Sequence, residues 1–130
     1  MSPDLLQKYS IGNFHFPVKS AMDSILVSKD SILEVVQKVK EDEELLYEQL
    51  VDITATDNML SKSSSSNERF TIIYSFLSLK NNKRLFVFTN LSENDLDIDS
   101  ITQIFESADW YERECYDLFG INFKNHPNLQ

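Results

Sequence analysis

Two hydrophobic rhythms organise this chain. Residues 24–27 (SILV) form a short apolar run suited to a buried strand. In KDSILEVVQKVKEDEE, Ile32, Val35, Val36 and Val39 recur at i, i+3, i+4 and i+7, so they share one stripe of a helix. Asp30 is the expected N-cap. The acidic residues 41–44 oppose the dipole at the far end, so the helix is expected to stop near Lys40. From Val51 the period shortens to two: Val51, Ile53 and Ala55 alternate with Asp52, Thr54 and Thr56, the pattern of a half-buried strand.

The strongest pattern is RFTIIYSFLSL-KNN-KRLFVFTN. Two β-branched and aromatic runs flank Asn81-Asn82, and asparagine tolerates the positive φ of a tight hairpin turn. Phe70, Ile72, Tyr74 and Phe76 share one face of the first strand, with Ile73, Leu77 and Leu79 on the other. Apolar residues on both faces point to a central strand, or to a face docked on something outside the chain. SKSSSSN (61–67) has little to bury and reads as a surface loop rather than a phosphorylated regulatory tract. SENDLDID (92–99) reads as an acidic loop. The expected fold is α+β: a two-layer domain with a mixed, largely antiparallel sheet, a central hairpin, and helices packed on one face. Residues 1–130 are read as a single domain.

Composition narrows the function classes. A formal charge of −9 speaks against nucleic acid or anionic lipid as partner. No apolar run approaches the roughly 18 residues of a membrane span. The N-terminal residues lack the marks of a signal or transit peptide, so the chain is expected to work where it is made. With two histidines, His15 and His126, and the single Cys115, neither a zinc site nor an iron–sulfur cluster is expected. Gly12 and Gly120 are the only glycines, which leaves no phosphate-cradling loop.

What remains is DWYERECYDLFG (109–120), where aromatics, carboxylates, an arginine and the cysteine crowd together. Asp109 suits an N-cap, Glu112 the third position of a capping box, and Gly120 the left-handed residue that ends the helix. On the helical wheel Tyr111, Cys115, Leu118 and Phe119 form an apolar face assigned to the core. Trp110, Arg113, Glu114 and Asp117 form the opposite face. A plainly solvated face, with an Arg113–Asp117 pair, has little need of a tryptophan. Trp and Arg are enriched at interface centres, so this face is read as a partner surface with Trp110 and Tyr116 as anchors. Glu112 or Glu114 is expected to pair with Arg113 or with a basic neighbour. The rival reading is a small acid–base enzyme using Glu114, Cys115 or His126.

Residues 110–129 (WYERECYDLFGINFKNHPNL) resemble the signature of the thirty-kilodalton-subunit (C-subunit) family of respiratory complex I, the proton-pumping NADH:quinone oxidoreductase. The matching positions are Glu112, Arg113, Glu114, Asp117, Leu118, Phe119, Gly120, His126 and Pro127. Residues 45–57 and 68–88 resemble the family's acidic-ended strand and central hairpin. Against that pattern the chain is short at both ends, and the serine-rich loop replaces a tighter connection. The resemblance implies a non-catalytic subunit of the hydrophilic arm, peripheral on the matrix or cytoplasmic side of the membrane. It implies packing against the forty-nine-kilodalton-type quinone-site subunit and neighbouring iron–sulfur subunits. NADH, FMN, the iron–sulfur clusters and quinone are then held on other subunits, with no cofactor on this chain. Trp110, Arg113, Glu114, Tyr116, Asp117, His126 and Pro127 are the expected partner contacts. Related hydrogenase-type and ferredoxin- or F420-linked complexes carry homologous subunits and fit the same motif.

Overall fold

A computed structural model describes residues 22–43, 45–58 and 68–128. His15 and the serine-rich segment 61–67 lie outside the described residues, and so do Leu129 and Gln130. A four-stranded sheet in the order β1-β4-β3-β2 forms the scaffold. Its strands are β1 (Met22–Val27), β2 (Gln49–Asp57), β3 (Glu68–Ser78) and β4 (Lys83–Ser92). β1 runs parallel to β4, and the β2–β3 and β3–β4 pairs are antiparallel. A short parallel pair, β5 (Asp97–Asp99) and β6 (Asn122–Lys124), stands beside the sheet.

The helices are α1 (Ile32–Glu41) and α2 (Ala108–Phe119). α1 buries Ile32, Val35, Val36 and Val39, the stripe read from the sequence. Burying four such side chains stabilises the packing by about 1.5–3 kcal/mol each. Asp30 is not its N-cap. A 3-10 turn, Lys29–Ser31, precedes α1, and the Ser28 hydroxyl accepts the Asp30 N–H at 3.3 Å. Phe70, Ile72, Tyr74 and Phe76 of β3 and Leu85, Val87 and Leu91 of β4 join this stripe in one core cluster. β3 and β4 are the central strands, with Phe70, Ile72, Tyr74 and Phe76 buried on one face of β3 and Ile73 and Leu77 half-buried on the other.

Three local readings are corrected. The pairing of β2 with β3 shifts register between Leu50 and Asp52, a bulge that changes which residues face inward. Leu50 and Ile53 are buried, whereas Val51 is 37% exposed. The hairpin turn is a four-residue loop closed by the Ser78–Lys83 pair, not two asparagines alone. Within it Asn82 takes φ 53°, and the Asn81 N–H donates to Ser78 Oγ at 3.1 Å. The acidic stretch is no simple loop, since it contains β5, with Ile98 turned into the core and paired to Phe123.

Candidate interaction site on the second helix

α2 starts at Ala108 after Ser107, whose side chain makes no capping hydrogen bond. The first N–H groups go to preceding turns instead: Ala108 to Phe105 O at 3.0 Å and Asp109 to Glu106 O at 3.2 Å. Asp109 is therefore a first-turn carboxylate at the positive end of the dipole, not the N-cap. Gly120 ends the helix as expected, at φ 73° with its N–H on Tyr116 O at 2.9 Å.

Glu112 has a different role from the expected capping box. Its side chain is completely buried and reaches across to the segment just after β5. Oε1 accepts the Ser100 hydroxyl at 2.6 Å and Oε2 accepts the Ile101 N–H at 2.9 Å. Burial pushes its carboxyl up to about 7, while the Ser100 and Ile101 hydrogen bonds pull the other way. Among the described residues Glu112 makes no ion pair with Arg113, one of the pairings weighed for the two glutamates.

His126 closes the same cluster from the C-terminal side. Its Nδ1 accepts the Asn128 N–H at 2.9 Å, so the ring proton sits on Nε2. Nε2 donates to the Asp109 carbonyl at 3.0 Å and lies 3.8 Å from Glu112 Oε1. Asp109 Oδ1 is 3.2 Å from Nε2 but makes no hydrogen bond, because the ring N–H is aimed at the carbonyl. Asn128 Nδ2 donates to Asp109 Oδ2 at 2.8 Å. The His126 side chain is thus wholly enclosed, a clamp for segment 125–128, whereas Pro127 beside it is exposed.

The outer side of α2 carries the other residues singled out in the sequence. Trp110 is 61% exposed and Tyr116 41%, and Arg113, Glu114 and Asp117 are exposed as well. The Arg113 guanidinium lies 6.0 Å from the Trp110 ring centroid, the outer limit of a cation–π contact. Among the described residues neither Glu114 nor Asp117 has a hydrogen bond or ion pair, so the Arg113–Asp117 pair does not form. Leu118 is not in the core: it is 74% exposed. Tyr111 and Phe119 are half-buried, Phe119 against Phe70 with centroids 5.4 Å apart, and only Cys115 of the expected apolar face is fully buried.

This geometry offers little to an enzyme. The Cys115 thiol donates to Ile53 O at 3.8 Å. Burial foremost, then Glu112, Glu114 and Asp52, pushes the thiol up to about 12, far from a nucleophilic thiolate. Glu114 is exposed on the outer side and His126 is enclosed at the helix start, so the two are not brought together. Among the described residues no group of His, Cys, Asp and Glu side chains could hold a metal ion. No described helix is long and apolar enough to cross a membrane. The sequence reading missed Ser100, Ile101 and Asn128, because their link to the helix is made only in three dimensions.

Residues 25–130 match the family model described as respiratory-chain NADH dehydrogenase, 30 Kd subunit. The chain belongs to that family. The C subunit of NADH-quinone oxidoreductase from Citrifermentans bemidjiense is 44% identical over 106 residues, covering 82% of this chain and 62% of that protein. Its counterpart from Neisseria meningitidis is 37% identical over 124 residues, covering 92% and 63% respectively. The chain therefore spans less than two thirds of these relatives. A solved trypsin-resistant fragment of Nqo5 superimposes with a TM-score of 0.73 at 27% identity, covering 95% of this chain and 91% of the fragment.

Proposed function

We propose that the chain is a non-catalytic structural subunit in the hydrophilic arm of a proton-pumping NADH:quinone oxidoreductase. It packs there against the forty-nine-kilodalton-type quinone-site subunit and its iron–sulfur neighbours, supporting electron transfer from NADH to quinone. NADH, FMN, the iron–sulfur clusters and quinone reside on those other subunits. The assembly lies peripherally on the membrane, on the matrix side in a mitochondrion or the cytoplasmic side in a bacterium. The observation that carries this reading is the outer side of α2. Trp110, Arg113, Glu114, Tyr116 and Asp117 are all exposed there in a chain of this family, and Trp, Tyr and Arg are the residue types that dominate interface centres. Pro127 extends the contact beside them. His126 supports it from within by holding its segment on the helix. A further support is a relative from Proteus mirabilis named as the C/D subunit of the same oxidoreductase, 34% identical over 130 residues, of which this chain covers 22%. A C-type domain joined in one polypeptide to a D-type one favours a seat against a neighbouring subunit.

Purification of the chain from its source membranes tests the reading. Quinone-site and iron–sulfur subunits are expected to accompany it, and elution alone as a monomer overturns the proposal. Arg113→Glu sharpens the test. The side chain is exposed, so the melting temperature of the isolated domain should stay within about 2 °C, as for surface substitutions within about ±0.5 kcal/mol. Recovery in the complex should fall. A variant that unfolds alone would assign Arg113 to the fold instead.

A further inference from the structure

Between α2 and the edge strand β2 runs a groove of about 330 Å³, lined by Asp52, Tyr111, Glu114, Leu118 and Phe119, with Cys115 at its floor. It lies on the flank of the helix rather than on the side that carries Trp110 and Arg113. Three features set it apart from ordinary surface. The first is apolar exposure: Leu118 on its rim is 74% exposed and is the most exposed large hydrophobic side chain among the described residues. The second is charge, since Asp52 and Glu114 line the groove and no Lys or Arg does. The third is an uncompensated polar atom: Asp52 Oδ1 is shut off from solvent yet finds no hydrogen-bond donor among the described residues. A carboxylate held half out of water without a donor is costly, and a cation brought to its accessible side offsets that cost.

From this juxtaposition we infer that the groove seats a basic segment of a neighbouring subunit. One Lys or Arg side chain lies against Asp52 and Glu114, and flanking apolar residues cover Leu118, Tyr111 and Phe119. The complementarity is specific in sign. A second copy of this acidic chain, with a formal charge of −9, is a poor occupant, and so is any acidic peptide. Because β2, among the described residues, pairs only with β3 in the sheet, a segment laid in the groove also reaches a strand edge able to exchange backbone hydrogen bonds. The inference rests on the subunit reading above and adds the chemistry of one partner segment.

The test is photo-crosslinking in the native complex from Leu118→Cys labelled with a benzophenone maleimide. Cys115, enclosed and with a neutral thiol, stays unlabelled. The expected product joins position 118 to a peptide of another subunit that carries Lys or Arg among apolar residues. In a background of Asp52→Asn its yield should fall about tenfold while the chain still co-purifies with the complex. A cross-link to an acidic or uncharged peptide overturns the inference, and so does one to a second copy of this chain, a yield unchanged in that background, or no cross-link at all from a chain recovered in its complex. Failure to recover the chain in any complex instead removes the subunit reading, and this inference with it.

Discussion

Glu112→Gln isolates the energetics of the buried carboxyl. The folded chain raises this group from its ordinary 4.5 to about 7, with burial as the leading cause. At roughly 1.4 kcal/mol for each tenfold change in proton affinity, that is about 3 kcal/mol of preference for the protonated form. The sign follows from linkage: between pH 4.5 and 7 the folded state holds a proton that the unfolded chain releases. This contribution is therefore fully present below pH 4.5 and is lost as pH rises through 7. Glutamine copies the protonated group, with one oxygen to accept the Ile101 N–H and one donor for Ser100 Oγ. Urea unfolding of both proteins from pH 4.5 to 8 gives the assay. The stability of the parent relative to the variant should decline by about 3 kcal/mol across that range, nearly all of it by pH 7.5. A difference independent of pH would refute the reasoning, as would one that grows in the parent's favour as pH rises. The latter would mean that a protonated His126, 3.8 Å away, holds the carboxylate charged, against the acceptor role of its Nδ1. Glu112→Ala, which strands the Ile101 N–H and the Ser100 hydroxyl, should cost about 2–4 kcal/mol at pH 5.

Two further substitutions probe the same region. Tyr74 is completely buried, its hydroxyl has no partner among the described residues, and burial raises its pKa well above the ordinary range. Tyr74→Phe should leave stability unchanged or raise it by up to about 1 kcal/mol in urea unfolding; a loss larger than that would reveal a hydrogen bond to the hydroxyl. At Gly120 an added Cβ meets nothing within 4 Å, so only the φ of 73° resists a side chain. Gly120→Ala should cost about 1 kcal/mol and Gly120→Asn less; equal losses would locate the penalty in packing rather than in the backbone.

The elements legible in the sequence are those whose period is set by burial alone. The α1 stripe and the faces of β3 and β4 required only that apolar residues avoid water, and each folds as its spacing implies. The misreadings share a different cause: each depends on a partner distant in sequence. The bulge at Val51 arises in the pairing with β3, and β5 exists only because Phe123 lies beside Ile98. Glu112 satisfied a local capping pattern, but Ser100 and Ile101 offered buried donors that a first turn with its N–H groups already engaged did not. Leu118 fell on the wheel with Cys115, yet it stands at the rim of that arc and is 74% exposed. The outward direction of Trp110, Arg113 and Glu114 was legible from their places on the helical wheel.

Consecutive residues on a helix turn by about 100°, and this ties the ERE triplet to its surroundings. Glu112 points inward and is fixed by two hydrogen bonds, so Glu114, about 200° further round, emerges nearly opposite it beside the β2 groove, and Arg113, about 100° round, emerges on the side between them. The two helices are therefore held by different forces. α1 is anchored by four β-branched side chains, whereas the fully buried residues of α2 are an alanine, a cysteine and a glutamate. So little apolar burial makes α2 dependent on the polar cluster of Glu112, Ser100, His126 and Asp109 for its orientation. Three of its large apolar side chains, Trp110, Tyr116 and Leu118, face outward, where they lower little free energy until another surface covers them, while Tyr111 and Phe119 are half-buried against the core. A helix built this way gains its remaining stabilisation on assembly. Substitutions at Glu112 should consequently register twice, once in the stability of the free domain and again in the presentation of Arg113 to a partner. Substitutions at Arg113 should register only in the second.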